Sequence, residues 1–316
     1  MKKILLKFNR SIGKLIFPFL AKLFILMRVN RRAINYLSLK SFEANNSYNF
    51  IKIIEDLLQK EKLIAIDVGA QGGFNSDNFF PNKYEDFFQV VAVEPLKNEA
   101  EKLKKKHKYV IDKALWSSET KKKIFFLGKR PGSTSMFIPE KSNFDIHNIK
   151  QKDYNLFDIT KTLEVETDTL SNCLNKIEIN SLDYIKLDTQ GSELEILKGI
   201  SEFRPLIIRV EIQIFSMYKD TPKWTKVVDY LNDLGYLICD WRGIGSHSTR
   251  VPGEMDMIFI PDFKSKKGIE LINNNEKKFI SLMLIFGQIK LLNVISNKND
   301  FKFSNFLKDF DDRYFF

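Results

Sequence analysis

The sequence has little cysteine and histidine, and no pattern combines the two. Cys173 and Cys239 are the only cysteines, and neither belongs to a CxxC pair or lies near a pair of histidines. This excludes a disulfide framework and gives no support to a structural zinc site, so no metal is predicted. Two isolated thiols in a chain of 316 residues suit a reducing compartment, which predicts a cytoplasmic protein.

The sequence also lacks a long apolar run. Near the N-terminus, the apolar stretches Leu15–Ala21 and Leu23–Met27 are separated by Lys22, and the first contains Pro18. A helix that spans a bilayer needs roughly 20 consecutive apolar residues. No small-residue cleavage pattern follows these stretches. The sequence therefore predicts neither a transmembrane helix nor a signal peptide.

Acidic residues are missing from residues 1–42. This arm contains ten Lys and Arg residues, which account for the whole formal net charge of +10. The neutral body argues against an extended nucleic-acid surface, whereas the basic arm favours contact with something anionic. Two interpretations of the arm remain open: a helix docked on the body with a basic outer face, or an amphipathic helix lying on an anionic membrane.

Beyond the arm, short apolar runs alternate with amphipathic helical stretches. Strands are predicted at Leu63–Val68, Gln89–Glu94, Tyr109–Trp116, Ile124–Leu127, Leu163–Glu166, Tyr184–Leu187, Leu206–Ile212, Tyr236–Trp241 and Met255–Ile260, the last closing the sheet. Helices are predicted at Ser47–Lys60, Leu96–Lys106, Leu170–Ile177, Glu193–Gly199 and Lys223–Leu234. This alternation predicts an α/β, Rossmann-like fold with a doubly wound, mostly parallel sheet.

The same pattern divides the chain into three parts. Residues 1–45 form the basic arm, 46–262 the predicted Rossmann-like domain, and 263–316 a helical, Phe-rich extension. Within the domain, Gly128–Phe157 has little regular pattern and is rich in Pro, Gly, Ser and Asn. We expect this segment to be a long functional loop.

A glycine-rich turn, Asp67–Gly73, follows the first predicted strand and opens a predicted helix. Glycines at such a turn adopt positive φ and let the backbone approach a ligand. Asp67 suits the ammonium of an amino-acid cofactor better than a pyrophosphate. Glu94 ends the next strand, where a carboxylate can accept hydrogen bonds from both ribose hydroxyls. The alternatives are a purely structural turn and a solvated acid before Pro95, and the spacing alone does not separate S-adenosylmethionine from NAD.

A second group of polar residues follows the strand at Tyr184–Leu187. Asp188, Gln190 and Glu193 come directly after it, and Glu211 ends the next strand. Asp188 or Glu193 can orient a substrate hydroxyl or take its proton. Alternatively, Glu193 favours the first turn of its helix, and Glu211 is an exposed strand end.

With these residues in place, the chain resembles the FkbM-type methyltransferases, a family of Rossmann-like enzymes. The matching stretches are Ile66–Gly73, Val93–Pro95, Lys113–Trp116, Ser133–Ser135, Val165–Leu170, Asp183–Gly199, Val210–Glu211 and Tyr218. The resemblance runs from about residue 63 to residue 242. It departs from the family at Gln71, where Asn is more usual, and the arm and the C-terminal extension are not part of the family pattern.

The resemblance implies S-adenosylmethionine as cofactor. The cofactor-binding residues that it implies are Asp67, Gly69, Ala70, Gln71, Gly73, Glu94, Asp112 beside the adenine, and Gln190. Ser133–Ser135 and Asp188–Glu193 would line the site. It also implies O-methylation of a hydroxyl on a glycan, glycolipid or related secondary metabolite, with Asp188 as base or orienter and Glu211 and His247 as its rivals.

Two other functions remain as alternatives to methyl transfer. A NAD-type oxidoreductase would share the glycine turn, but Asp67 within the turn argues against it. A non-catalytic module that contacts an anionic membrane through residues 1–42 would explain the arm. The joint presence of Asp67, Glu94 and Asp188 argues against loss of activity in such a module. For each of the scattered histidines, His107, His147 and His247, we expect a surface or loop role.

Overall fold

The computed structural model of the chain describes residues 50–147, 149–244, 253–297 and Phe301. The predicted arm and His247 lie outside these described residues. Within them the strands are β1 (Leu63–Val68), β2 (Phe88–Val93), β3 (Tyr109–Ile111), β4 (Ala114–Leu115), β5 (Thr120–Gly128), β6 (Ile159–Asp168), β7 (Tyr184–Leu187), β8 (Ile207–Gln213), β9 (Tyr236–Ile244) and β10 (Glu254–Pro261). The α-helices are α1 (Ile51–Leu58), α2 (Lys97–Lys104), α3 (Leu170–Lys176), α4 (Glu193–Lys198), α5 (Trp224–Asp233), α6 (Lys266–Asn274), α7 (Glu276–Ile285) and α8 (Ile289–Ser296).

The central sheet has the strand order β3-β2-β1-β7-β8-β10-β9. The pairs β1–β2, β1–β7, β2–β3 and β7–β8 are parallel, which confirms the predicted α/β fold with a mostly parallel sheet. The order reverses direction between β1 and β7, so a crevice opens at the carboxyl ends of these strands. β10 does not close the sheet as expected: it lies between β8 and β9 and is antiparallel to both.

A second, three-stranded sheet lies beside the first, in the order β4-β6-β5. The predicted single strand at Tyr109–Trp116 is wrong in this respect, because the chain leaves the central sheet after β3 and pairs β4 with β6. The predicted loop at Gly128–Phe157 connects β5 to β6 through short 3₁₀ turns. It builds a small core of its own, in which Phe144 and Phe157 pack with Met217 and Tyr218.

The segment between β1 and β2 contains no α-helix, so the prediction that the glycine turn opens one is wrong. The chain passes instead through turns to a 3₁₀ helix at Asn82–Phe87. Gly72, Gly73, Asn75 and Asn78 all have positive φ, between 52° and 103°. An α-helix requires negative φ at every position, so these residues break it.

The C-terminal helices cover one side of the central sheet. Every residue of α7 from Phe279 to Ile285 is buried, so this helix is part of the core. The ring of Phe286, next along the chain, has its centroid 5.0 Å from that of Tyr184 in β7 and 5.4 Å from that of Phe80. The loop after β1 and the end of α7 therefore pack together over this face. No helix in the described part of the chain is long and apolar enough to cross a bilayer.

Candidate active site

A cavity of about 280 Å³ opens at the carboxyl ends of β1, β2 and β7. Its wall includes Gly69 after β1, Glu94 after β2, Leu115 in β4 and Asp188 after β7. Thr134, from the loop between β5 and β6, contributes to the wall from the second sheet. The cavity thus lies where the strand order reverses, which is the usual ligand site in such sheets.

Gly69 lets two strand ends approach each other. Its φ is +80°, and a Cβ placed on it would lie 2.0 Å from the carbonyl oxygen of Asp188. The N–H groups of Gly69 and Ala70 both donate to the carbonyl of Val93, at 3.1 and 3.2 Å. A side chain at residue 69 would therefore push the β1 turn away from β7. Gln71 lies on the cavity wall, whereas Ala70 packs behind it against the Ala92 cluster.

Glu94 contributes a buried carboxylate to the cavity wall. It is 5% exposed, and its Oε1 accepts a hydrogen bond of 2.9 Å from the N–H of Leu96. Burial raises the pKa of the Glu94 carboxyl to about 7. This side chain can therefore gain or lose a proton near neutral pH.

Asp67 lies beneath the cavity wall rather than on it. Its side chain is 1% exposed, and its Oδ1 lies 3.4 Å from Nζ of Lys186. Burial raises the pKa of Asp67, and the charge of Lys186 opposes this effect. Asp67 is therefore enclosed in this structure, and the contact expected between its carboxylate and the ammonium of a ligand stays a prediction.

Asp188 also contributes a carboxylate to the cavity wall, with its side chain one third exposed. Nζ of Lys186 lies 3.5 Å from its Oδ2. Burial favours a high pKa for Asp188, but Lys186 and hydrogen bonds from Glu211 and Gln190 outweigh burial, so the pKa is lower than usual. Asp188 is therefore ionised at neutral pH.

The pKa of the neighbouring Glu211 carboxyl is shifted in the opposite direction. Burial, followed by the neighbouring charge of Asp188, raises the pKa of Glu211 well above its usual range. The opposite directions of the two pKa shifts favour a proton on Glu211, which then donates a hydrogen bond to Asp188. The raised pKa of Glu211 favours Asp188 over Glu211 as the base, because a carboxyl that holds a proton cannot accept another.

Gln190 fixes this carboxyl pair in place. Its Nε2 donates to Oε2 of Glu211 at 2.7 Å and to Oδ1 of Asp188 at 3.1 Å. Its Oε1 accepts a hydrogen bond of 3.1 Å from the hydroxyl of Tyr218. Its carbonyl oxygen accepts one of 2.7 Å from the hydroxyl of Ser135. Gln190 thus joins the second sheet to the end of β7.

Other predicted residues lie away from the cavity or have structural partners. Glu193 accepts backbone hydrogen bonds from Thr189 and Gly191 at 2.9 and 3.1 Å, so its carboxylate stabilises the turn. The half-exposed Asp112 forms an ion pair of 3.2 Å with Lys104 and does not contribute to the cavity wall. Gly73, His107 and His147 also lie off the wall.

The family model of the methyltransferase FkbM domain matches residues 67–238, which is more than half of the chain. The chain belongs to the FkbM methyltransferase family. Its cofactor is S-adenosylmethionine, and it catalyses methyl transfer. The alternative of a NAD-type oxidoreductase is excluded by this family.

Two of the solved structures that match the chain share little sequence with it. The 16S rRNA methylase ArmA is 11% identical, with 77% of this chain and 97% of that chain covered and a TM-score of 0.29. MtNAS in complex with MTA and tNA is 9% identical, with 70% and 64% covered and a TM-score of 0.26. The curated proteins contain no match to the chain.

The cavity of this FkbM-family chain fits S-adenosylmethionine. The missing side chain at Gly69 lets the β1 turn lie against the backbone of Asp188, so both form one wall of the cavity. Glu94 offers an acceptor for ribose hydroxyls, and Leu96 and Leu115 offer apolar surface for a base. Asp188 gives the other end of the cavity a negative charge, which suits a cationic sulfonium. Among the described residues, no group of three or more His, Cys, Asp or Glu side chains is arranged to hold a metal ion.

The sequence assigned no role to three charged residues on the cavity wall, Lys113, Lys186 and Asp77. Lys186 could have been identified from the sequence, because a lysine inside a buried strand needs a specific partner. Asp77 could not have been identified in this way, because it belongs to the segment that was predicted as a helix.

Proposed function

We propose that this FkbM-family chain is an O-methyltransferase that acts on a hydroxyl group of a glycan, glycolipid or related secondary metabolite. The observation that carries this proposal is the Asp188 carboxylate, which reaches the cavity and is held there by Lys186 and Gln190. A hydroxyl is a poor nucleophile at neutral pH, so its methylation benefits from a base that is already ionised.

The residues around the cavity have different roles in this reaction. S-adenosylmethionine would supply the methyl group from its sulfonium sulfur, with the sulfur–methyl bond breaking and S-adenosylhomocysteine leaving. Asp188 accepts a hydrogen bond from the acceptor hydroxyl and takes its proton as the new O–C bond forms. Lys186, Glu211 and Gln190 hold the Asp188 carboxylate in one orientation, which contributes through positioning.

The cofactor would be held along the wall from β1 to β4. Glu94 would accept hydrogen bonds from the ribose hydroxyls, and Leu96 and Leu115 would contact the adenine. Gly69 would let the backbone approach the ligand, and Gln71 would contribute polar contact from the turn.

Methyl transfer from isotopically labelled S-adenosylmethionine to a glycan and lipid extract tests the proposal. We expect one labelled product class whose methyl group survives mild alkali, because a methyl ether resists hydrolysis and a methyl ester does not. The Asp188→Asn protein is the matched control and should transfer almost no label. A protein that binds the cofactor but labels no extract would favour the non-catalytic module instead.

The affinity for S-adenosylhomocysteine should rise as the pH increases through about 7. Ionised Glu94 accepts two ribose hydrogen bonds, whereas protonated Glu94 is a poorer acceptor, so binding weakens below this pH. Glu94→Gln should weaken binding by about 10- to 100-fold above pH 7, as expected for hydrogen bonds to a charged group. Calorimetry at a series of pH values measures both effects. A dissociation constant that keeps the wild-type pH dependence in Glu94→Gln would contradict this role.

We further propose that residues 1–42 contact the anionic inner face of a membrane. Their ten cations and lack of acids support electrostatic attraction worth about 1 kcal/mol for each cation near the surface. The full chain should sediment with vesicles that contain anionic lipid and much less with neutral vesicles. Deleting residues 1–42 should abolish this sedimentation, while S-adenosylhomocysteine binding remains as the control for folding. Equal sedimentation of the truncated chain would contradict the proposal.

A further inference from the structure

A third carboxylate, Asp77, reaches the cavity besides Glu94 and Asp188. It lies on the cavity wall in the turn segment after β1, and its side chain is 41% exposed. Asp67, by contrast, is 1% exposed and lies behind the wall. A ligand in the cavity can therefore reach Asp77 without any rearrangement of the β1 turn.

Asp77 is held rigidly from beneath by Arg209. The Arg209 guanidinium donates to both oxygens of Asp256, at 2.8 and 2.9 Å, and also to Asp77. It stacks on the ring of Phe79, with its central carbon 3.7 Å from the ring centroid. Because bidentate pairing and stacking fix the guanidinium, Asp77 keeps one position at the cavity wall.

The charges around this end of the cavity do not cancel. Lys186 is shared by Asp67 and Asp188, and Arg209 is shared by Asp77 and Asp256. Two cations thus face four carboxylates. Of these six groups, Asp77, Asp188 and Lys186 line the cavity, so carboxylates outnumber cations among the groups that a ligand meets there. A ligand with an ammonium group and a sulfonium centre matches this excess.

We propose that Asp77, and not Asp67, accepts the ammonium group of the amino-acid part of S-adenosylmethionine. Asp188 is then free to serve the acceptor hydroxyl, while Asp67 remains the buried partner of Lys186. This assignment rests on the cofactor and is independent of the proposed acceptor.

Two ligands that differ only in the amino-acid part test the assignment. S-adenosylhomocysteine carries the ammonium, whereas 5′-methylthioadenosine has the same nucleoside and thioether without it. In calorimetry, Asp77→Asn should weaken S-adenosylhomocysteine binding by about 10- to 100-fold. Binding of 5′-methylthioadenosine should stay unchanged, which also shows that the variant is folded. Asp77→Ser, which leaves Arg209 paired with Asp256, should give the same loss of selectivity.

Control variants separate this assignment from its alternatives. Asp67→Asn should keep the wild-type ratio of the two affinities, and Glu94→Gln should weaken both ligands together. Decarboxylated S-adenosylhomocysteine retains the ammonium, so it should remain sensitive to Asp77→Asn. The proposal is overturned if the Asp77 variants weaken both ligands equally or neither, or if Asp67→Asn alone removes the selectivity.

Discussion

Asp188→Asn should lower kcat for methyl transfer by about 100- to 10,000-fold, the usual contribution of a general base. Asparagine has nearly the shape of aspartate and can still contact Lys186 and Gln190, but it cannot take the proton of a hydroxyl. Because Asp188 is ionised at neutral pH and reaches the cavity, its charge is available to the acceptor in the resting protein. The dissociation constant for 5′-methylthioadenosine should stay close to the wild-type value, since Glu94 and the glycine turn are unchanged.

Glu211→Gln is the matched comparison for this result. Burial and the charge of Asp188 keep Glu211 protonated, so a neutral amide preserves both its charge and its ability to donate. We expect kcat to remain within about tenfold of wild type, the scale of one altered hydrogen bond. Single-turnover rates for both variants and wild type, with calorimetry for binding, make the comparison. A larger loss in Glu211→Gln than in Asp188→Asn would reverse the two roles.

The strands were predictable because their sequence pattern is strong and local. β1 at Leu63–Val68 and β7 at Tyr184–Leu187 match the predicted bounds, since continuous apolar runs of this length suit strands buried on both faces. The place of β10 was not predictable, because its apolar run fits an edge or an interior position equally well. β4 has only two residues, too few for any periodicity to be visible.

The site was predictable only where a residue follows a strong strand directly. The sequence alone therefore brought Glu94, Asp188 and Glu211 to one edge of the sheet. The enclosure of Asp67 by Lys186 depends on contacts across strands, which no local pattern encodes. Likewise, Asp77 depends on Arg209 and Asp256, which lie more than a hundred residues further along the chain.

Lys186→Met should lower both the unfolding free energy of the protein and its catalytic activity. Nζ of Lys186 lies 3.4 Å from Asp67 and 3.5 Å from Asp188, and its side chain is only 12% exposed. Removing it leaves the buried Asp67 carboxylate without its cation. Breaking a buried ion pair by removing one partner costs about 3–5 kcal/mol of unfolding free energy. Urea unfolding at neutral pH measures this loss, and Lys186→Arg, which keeps the charge, should lose less.

The double variant Lys186→Met with Asp67→Asn separates the structural role of Lys186 from its catalytic one. It removes the buried charge together with its partner, so stability should recover in large part. Asp188, however, still lacks the neighbouring cation that keeps its pKa low, and burial then raises this pKa. The base is therefore lost at a higher pH, and the acid limb of the kcat/KM profile should move upward in the stable double variant. An acid limb that stays at the wild-type position would mean that Lys186 acts only on the stability of the fold.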